Sequence, residues 1–278
     1  MDRTVQRHRA EIFRQLHHGE HILVLPNAWD VATARVFQAA GFPAVATTSA
    51  GVANALGYAD GEQISREEMI AIVERIAHHL DVPLTADMES GYADTLEGLA
   101  ETARLVVISG AVGLNLEDST RGEASPLYDI QLAADRVRAV CESSAAAGVR
   151  LVVNARTDVF LKQVGDPSTR LAHAIRRANA YREAGADCLF IIGVRDADTI
   201  RTLASEIDGP INVLMGPGSP SAAALEELGV ARVSIGPGAG LAALGLVRRI
   251  AESLMKHGTY ESLMEGAMTY AEANALVS

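Results

Sequence analysis

The sequence is short of several residue types on which particular classes of protein depend. Its 278 residues include only two cysteines, Cys141 and Cys188, too few for a disulfide framework or a cysteine metal site. Aromatic residues make up 4%, which disfavours the stacking platforms that bind single-stranded nucleic acid. No apolar run reaches the roughly 18 residues of a membrane span, and the N-terminal segment lacks an apolar signal core. We therefore expect a soluble, cytoplasmic protein.

Positive charge is also scarce. Lys and Arg together number 24 against 35 Asp and Glu, which gives a formal net charge of −11. Proteins that bind duplex nucleic acid are normally basic, so we expect neither nucleic acid nor a membrane as a partner. Only two of the basic residues are lysines, Lys162 and Lys256, and neither directly follows an apolar run. A Schiff-base lysine enzyme is therefore disfavoured.

Short apolar runs alternate with longer helical patterns along the whole chain. The runs carry Val, Ile and Leu at consecutive positions, as expected for parallel strands that are buried on both faces. Most of the helical patterns end at a glycine, which is a favourable residue for ending a helix. The eight predicted strands are 22–25, 44–48, 82–86, 112–116, 151–154, 188–192, 211–214 and 232–235.

Eight strand–helix units predict an α/β fold, a single (β/α)8 TIM-type barrel domain over 1–278. An N-terminal helix is expected within 1–21. An extra C-terminal helix is expected within the extension 259–278, packed on its own barrel or on a partner subunit. An open doubly wound sheet is the weaker alternative, because no Gly-x-Gly-x-x-Gly follows the first strand.

Acidic residues follow three consecutive predicted strands, where barrel enzymes place their working side chains. Asp60 lies after the second strand, Asp87 and Glu89 follow the third, and Glu117 follows the fourth. Burying carboxylates together without a cation is costly, and Mg2+ or Mn2+ held by oxygen ligands removes that cost. Arg156, after the fifth strand, is placed to bind a substrate carboxylate through two hydrogen bonds. Helix capping and simple salt bridges are the structural alternatives.

Other common catalytic groups are absent from the strand ends. None of the eight histidines directly follows a predicted strand, and we expect exposed helical positions for them, including His17. Cys141 lies within a helical pattern, and Cys188 opens the sixth strand as a small core residue. A histidine base and a cysteine nucleophile are therefore not expected.

Five motifs, in order across roughly residues 20–200, resemble those of the isocitrate lyase/phosphoenolpyruvate mutase superfamily. They are Leu25-Pro-Asn-Ala-Trp-Asp30, Thr48-Ser-Ala-Gly51 with Leu56-Gly-Tyr-Ala-Asp60, Asp87-Met-Glu-Ser-Gly-Tyr92, Leu116-Glu-Asp-Ser119 and Asn154-Ala-Arg-Thr-Asp158.

The resemblance implies a barrel that forms a homo-oligomer, a dimer or tetramer, with the last helix swapped between subunits. It also implies a cofactor, Mg2+ (or Mn2+), held by Asp87. In that arrangement Asp60, Glu89 and Glu117 contribute directly or through water.

The resemblance also implies a substrate site. Arg156, Asp60 and the backbone of Thr48, Ser49 and Ala50 are expected to bind a small 2-oxo- or 2-hydroxycarboxylate. Superfamily members make or break C–C or C–P bonds beside that group through a pyruvate-like enolate. A metal ion and nearby N–H donors stabilise the developing negative charge of such an enolate.

The segment after the fourth strand departs from the family patterns. Isocitrate lyases carry Lys-Lys/Arg-Cys-Gly-His there, and phosphonomutases use a Lys and an Asn. This chain reads Glu117-Asp-Ser-Thr-Arg-Gly-Glu-Ala-Ser-Pro-Leu127 instead. By position, Glu123 or Tyr58 is the candidate proton carrier, with Glu117 and Arg156 as the other catalytic residues. Residues 119–128 are either a mobile lid or an ordinary surface loop.

The sequence therefore predicts a Mg2+-dependent carbon–carbon lyase that acts on a small 2-oxo- or 2-hydroxycarboxylate. The reaction is expected to pass through an enolate, by C–C cleavage or by decarboxylation of the oxaloacetate type. Two alternatives stay open: a C–P bond enzyme of the phosphonopyruvate hydrolase/phosphoenolpyruvate mutase type, and a 2-oxo-acid-binding protein with little turnover.

Overall fold

Nine short strands, all paired in parallel, form the sheet of this computed structural model, which describes residues 2–121, 125–264 and 266–277. Their order in the sheet is β1-β9-β8-β7-β6-β5-β4-β3-β2. The strands are β1 Leu23–Leu25, β2 Asn27–Ala28, β3 Val45–Thr47, β4 Leu84–Asp87, β5 Gly113–Glu117, β6 Val152–Thr157, β7 Cys188–Ile191, β8 Ile211–Leu214 and β9 Arg232–Ser234.

The sheet closes because β1 and β2 are two halves of one strand position, separated by Pro26. Proline has no N–H to donate, but its carbonyl still accepts from the Ala46 N–H at 2.9 Å. The first half pairs with β9 and the second with β3. Eight strand positions thus form a nearly closed barrel, and the predicted (β/α)8 fold is confirmed.

Twelve helices accompany the strands in the described residues. Several begin at a residue whose side chain caps the helix; the Ser65 hydroxyl accepts from the Glu68 N–H, and the Glu68 carboxylate accepts from the Ser65 N–H. The helices are α1 Arg3–Leu16, α2 Val31–Ala39, α3 Ser49–Ala55, α4 Arg66–His78, α5 Leu96–Ser109, α6 Ile130–Ala146, α7 Pro167–Glu183, α8 Ala197–Glu206, α9 Ala222–Glu227, α10 Gly238–His257, α11 Glu261–Met264 and α12 Tyr270–Val277.

The C-terminal extension differs from the prediction, since it contains two short helices where one was expected. Gly266 adopts a φ of 70° between α11 and α12, a conformation that favours glycine and ends a helix. Thr269 and Glu272 then start α12 by reciprocal side-chain-to-backbone hydrogen bonds. The short helix α3 was not predicted at all.

Helix α10 buries none of its residues. Leu241, Leu244 and Val247 on this helix are 58%, 56% and 59% exposed, respectively. The predicted homo-oligomer with a swapped terminal helix stays a prediction. Within the described part of the chain, no helix is both long enough and apolar enough to cross a membrane.

Helix α1 covers the N-terminal end of the barrel. Phe13 is completely buried, and the Gln6 amide donates to the carbonyls of Val107 and Ala111 at 2.8 Å each. His17, just after the helix, is only 3% exposed and hydrogen-bonds through Nδ1 to the Phe13 carbonyl at 2.8 Å. The expectation that His17 is exposed is therefore wrong, because the end of α1 packs against the barrel interior.

Candidate active site

Asp87, the last residue of β4, lies among neutral hydrogen-bond donors. Its Oδ2 accepts from the backbone N–H of Ser49 at 3.1 Å and from the Ser49 hydroxyl at 3.0 Å. Its Oδ1 accepts from Nδ2 of Asn115, on the adjacent strand β5, at 3.2 Å. Its own N–H donates to the Thr47 hydroxyl at 2.8 Å. These contacts fix the orientation of the carboxylate, and none of them comes from a cationic side chain.

Two further carboxylates, those of Glu89 and Asp60, lie near Asp87. Glu89 is 7% exposed and accepts from the Glu62 N–H at 2.8 Å and from the Tyr92 hydroxyl at 3.0 Å. The Ser49 hydroxyl lies 3.4 Å from Oδ1 of Asp60, which is exposed. Burial, together with the charges of Asp87 and Asp60, raises the pKa of Glu89 to about 7. Asp87 and Asp60 thus share the Ser49 hydroxyl, and both carboxylates lie near enough to Glu89 to raise its pKa.

The backbone around these carboxylates is strained. Among the described non-glycine residues, positive φ angles occur at Glu62 (54°), Glu89 (48°), Tyr92 (55°) and Gln163 (52°). Such conformations are uncommon outside glycine and concentrate at functional sites.

Glu117, the fourth predicted ligand, is paired with an arginine. The strand register sets it opposite Arg156 on β6, and its Oε2 lies 2.8 Å from Arg156 Nη1. The other edge of the guanidinium, Nε and Nη2, donates to both carboxylate oxygens of Asp158 at 2.6 and 3.0 Å. The bidentate contact expected with a substrate is thus made with a protein carboxylate. Burial raises the pKa of Glu117 to about 8, although Arg156 acts in the opposite direction.

The carboxylate of Asp118, next to Glu117, is held by side chains and backbone of the protein itself. Its Oδ2 accepts from the Tyr181 hydroxyl at 2.6 Å, the Thr157 hydroxyl at 2.8 Å and Arg177 Nη1 at 3.1 Å. Its Oδ1 accepts from the Asp158 N–H at 2.9 Å. With an arginine and three neutral donors, this carboxylate needs no further cation.

The remaining predicted site residues are more scattered. Thr48 caps α3, and Ser49 and Ala50 form its first turn, beside Asp87. Tyr58 follows α3 and is 41% exposed; within the described residues, no contact joins its hydroxyl to the carboxylates at the strand ends. Glu123 lies outside the described residues. The flanks of the predicted lid 119–128 pair with each other through an antiparallel bridge between Ser119 and Leu127.

A cavity of about 290 Å3, called here the rim cavity, opens at the C-terminal end of the barrel. Its charged and polar lining includes Glu62, Glu89, Glu117, Ser119, Arg121 and Lys162. Arg121 forms an ion pair with the buried carboxylate of Glu62. Lys162 was not among the predicted site residues, because it lies five positions beyond the end of β6. The sequence signal that could have pointed to Lys162 is the rarity of lysine, since the chain has only two.

A buried arginine lies beneath the carboxylates. Arg232, on β9, is completely buried, and its Nη2 is 3.4 Å from Oδ1 of Asn115, the residue that also holds Asp87. Its Nε has no hydrogen-bond partner among the described residues. Burial lowers the pKa of Arg232 to about 10. Sequence reasoning missed this residue; a charged side chain inside an otherwise apolar run was the available signal.

The donor set suits a hard divalent cation. No group of three or more Asp, Glu, His or Cys side chains poised to hold a metal occurs in the part of the chain that the structure describes. Mg2+, however, commonly binds one or two protein carboxylates and keeps several waters. Asp87 and Glu89 offer two carboxylates to such an ion, and a cation would relieve the burial and the repulsion that together raise the pKa of Glu89.

Comparisons with known proteins show what the whole chain is similar to. The chain matches the phosphoenolpyruvate phosphomutase family model over residues 13–255. An uncharacterized Mycobacterium tuberculosis protein is 38% identical over 81% of both chains. Oxaloacetate decarboxylase 2 of Pseudomonas fluorescens is 28% identical over 81% of this chain and 76% of its own. The 2,3-dimethylmalate lyase of Eubacterium barkeri is 27% identical over 96% and 93%.

A solved structure extends the likeness to the whole fold. A Burkholderia cenocepacia protein, provisionally described as a lyase or mutase, superposes with a TM-score of 0.91 at 36% identity. The match covers 98% of this chain and 96% of that one.

Proposed function

The chain belongs to the phosphoenolpyruvate phosphomutase family, and we propose that it is a Mg2+-dependent (or Mn2+-dependent) carbon–carbon lyase. Its substrate is a small 2-oxo- or 2-hydroxycarboxylate, which reacts through an enolate by C–C cleavage or by oxaloacetate-type decarboxylation. The observation that carries this proposal is the group Asp60, Asp87 and Glu89, whose hydrogen-bond partners are all neutral. Relatives that include an oxaloacetate decarboxylase and a 2,3-dimethylmalate lyase support it.

The metal ligands follow from the donors available. Asp87 and Glu89 would hold the ion, with Asp60 and Glu117 contributing directly or through water. When bound, the ion acts as a Lewis acid that stabilises negative charge developing on the substrate oxygen.

The protein's own groups orient the substrate. The Ala50 N–H lies in the first turn of α3, where backbone donors have no acceptor within the helix, so it is available to a substrate carboxylate. Ser49 and Asn115 keep the Asp87 carboxylate in one orientation. Arg156 holds Glu117 at the cavity wall. Tyr58 and Glu123 stay the proposed proton carriers.

Carbon–phosphorus chemistry is a weaker proposal for this site. The segment after β5 lacks the Lys and the Asn that phosphonomutases use there, and Arg121, the cation in its described part, is already paired with Glu62. If Arg121 bound a phosphoryl group instead, the carboxylate of Glu62, which is only 6% exposed, would lose its cationic partner.

Calorimetric binding of oxalate, a mimic of the pyruvate enolate, tests the proposal. We expect oxalate to bind the full chain in excess Mg2+ and to lose that binding in EDTA, because the carboxylates repel an anion without the ion. Binding that is equal in both conditions, or absent from both, contradicts the metal site. Oxalate binding without turnover of oxaloacetate or other 2-oxo- and 2-hydroxycarboxylates favours the alternative of a 2-oxo-acid-binding protein.

A further inference from the structure

Two arginines, one lining the rim cavity and one beside it, are neutralised by protein carboxylates. Arg156, beside the cavity, is held by Glu117 and Asp158. Arg121 is paired with Glu62. Each of these arginines therefore has its charge balanced before any substrate arrives.

Lys162 differs from both arginines. The contact that the structure gives its ammonium group is a long hydrogen bond, 3.4 Å, to the neutral carbonyl oxygen of Pro126. The side chain is exposed to solvent at the cavity wall. Among the described residues that line the rim cavity, Lys162 is the cation that no carboxylate neutralises.

The backbone holds Lys162 at this position. Its N–H donates to the Asp158 carbonyl at 2.8 Å, directly after β6. The next residue, Gln163, adopts a φ of 52°, which is unfavourable for residues other than glycine. The loop therefore turns sharply just after the lysine, and Glu62 and Glu89, two other residues with positive φ, line the same cavity.

We propose that Lys162 binds the far carboxylate of a dicarboxylate substrate and selects it over a monocarboxylate of the same length. This inference rests on the proposed function, because Asp87 and its metal ion fix the 2-oxo or 2-hydroxy end. The carboxyl groups of Glu89 and Glu117 line the cavity and give a second substrate carboxylate no cationic partner. The Lys162 ammonium, on a flexible four-carbon stem, supplies one and adapts to substrate length.

Racemic malate and racemic 2-hydroxybutyrate are suitable probes, since both have four carbons and differ by one terminal carboxylate. Affinities for these probes and for oxalate are measured by calorimetry in excess Mg2+, at low and moderate salt. The proteins are the wild type, Lys162→Met, Lys162→Arg and the matched control Lys256→Met. Lys256 is the other lysine of the chain, in the last turn of α10.

Lys162→Met is expected to weaken malate binding about fivefold to tenfold and to leave 2-hydroxybutyrate and oxalate within about twofold. Lys162→Arg should retain most of the malate affinity, and Lys256→Met should match the wild type. Salt should weaken malate binding more in the wild type than in Lys162→Met, because exposed charges are screened.

Unchanged malate affinity in Lys162→Met overturns the assignment, and so does an equal loss for malate and 2-hydroxybutyrate. Failure of the proposed function looks different, because the wild type itself then does not bind oxalate in a Mg2+-dependent way.

Discussion

The two ends of the barrel carry opposite charges that no ion pair at contact distance neutralises in the described part of the chain. At the C-terminal end, Asp87 and Glu89 have only neutral hydrogen-bond partners. Toward the N-terminal end, Arg232 is completely buried without a carboxylate partner at ion-pair distance in the described part of the chain. One residue, Asn115, contacts both charges, with its amide nitrogen on Asp87 and its oxygen near Arg232.

The difference between the ends lies in access. The rim cavity reaches Glu89 and Glu117, so an ion and a substrate are able to compensate the carboxylates. The opposite end is closed by α1, and the protein must compensate Arg232 internally. It does so with the polar oxygen of Asn115 and with Nε2 of His17, 3.5 Å from Arg232 Nη1. Carboxylates that a cavity reaches are thus able to bind a cation from solution. A buried arginine without such access depends on the protein groups around it.

Asp87→Asn is the change with the largest expected effect. The amide keeps the shape of the side chain but removes the charge on which the metal site depends. Any oxaloacetate turnover should fall on the order of a thousandfold, beyond the ten- to hundredfold typical of residues that contact a ligand only indirectly. Mg2+-dependent oxalate binding should be lost in parallel, measured by calorimetry.

The control for this variant is Asp198→Asn, which alters an exposed aspartate on α8 that pairs with Arg201. It should leave oxalate binding unchanged. Wild-type oxalate affinity in Asp87→Asn would place the metal elsewhere.

The sequence predicted the C-terminal end better than the N-terminal end. Apolar runs located all eight strand positions, and 211–214 coincides with β8. Strand ends in a parallel barrel meet at one edge, so Asp60, Asp87 and Glu89 were expected to meet. The pattern failed where polar residues continue a strand, since β6 runs on through Arg156 to Thr157.

The buried charges at the other end were not predictable from periodicity. Whether His17 packs inward depends on how α1 crosses the end of the barrel, and that geometry is set by contacts between residues far apart in sequence. Arg232 pairs in register with Leu23 on one side and Asn212 on the other, and its side chain reaches Asn115 across the interior. Local sequence contains neither relation.

The pH dependence of stability tests the sealed end. Burial and the positive charge of Arg232 lower the pKa of His17 to about 3. Between about pH 6.5 and 3, the unfolded chain therefore binds a proton at His17 that the folded protein does not. The free energy of unfolding should therefore decrease as the pH is lowered through this window. The contribution of His17 to that decrease is up to about 1.4 kcal/mol per pH unit.

Urea unfolding at pH 6.5, 5.5 and 4.5 measures that dependence. His17→Gln removes the proton-binding group, so its stability should decrease less steeply with falling pH than that of the wild type, by about 2 kcal/mol in total. His18→Gln, at the adjacent exposed position, is the control and should follow the wild type. Identical slopes for all three proteins would mean that His17 is protonated in the folded state.

The last prediction concerns Asn115, the residue shared by the two ends. Asn115→Leu removes the donor to Asp87 and the acceptor for Arg232 while keeping a side chain of similar size. Mg2+ affinity should fall about tenfold to hundredfold, as when residues that orient a metal ligand are lost. Asn212→Leu, on β8, is the matched control, because Asn212 is also buried and contacts Ser234. Both variants should lose stability, but only Asn115→Leu should lose Mg2+ affinity. Equal Mg2+ affinities in the two variants would show that Asp87 is oriented without Asn115. The charges at the two ends of the barrel would then be independent of each other.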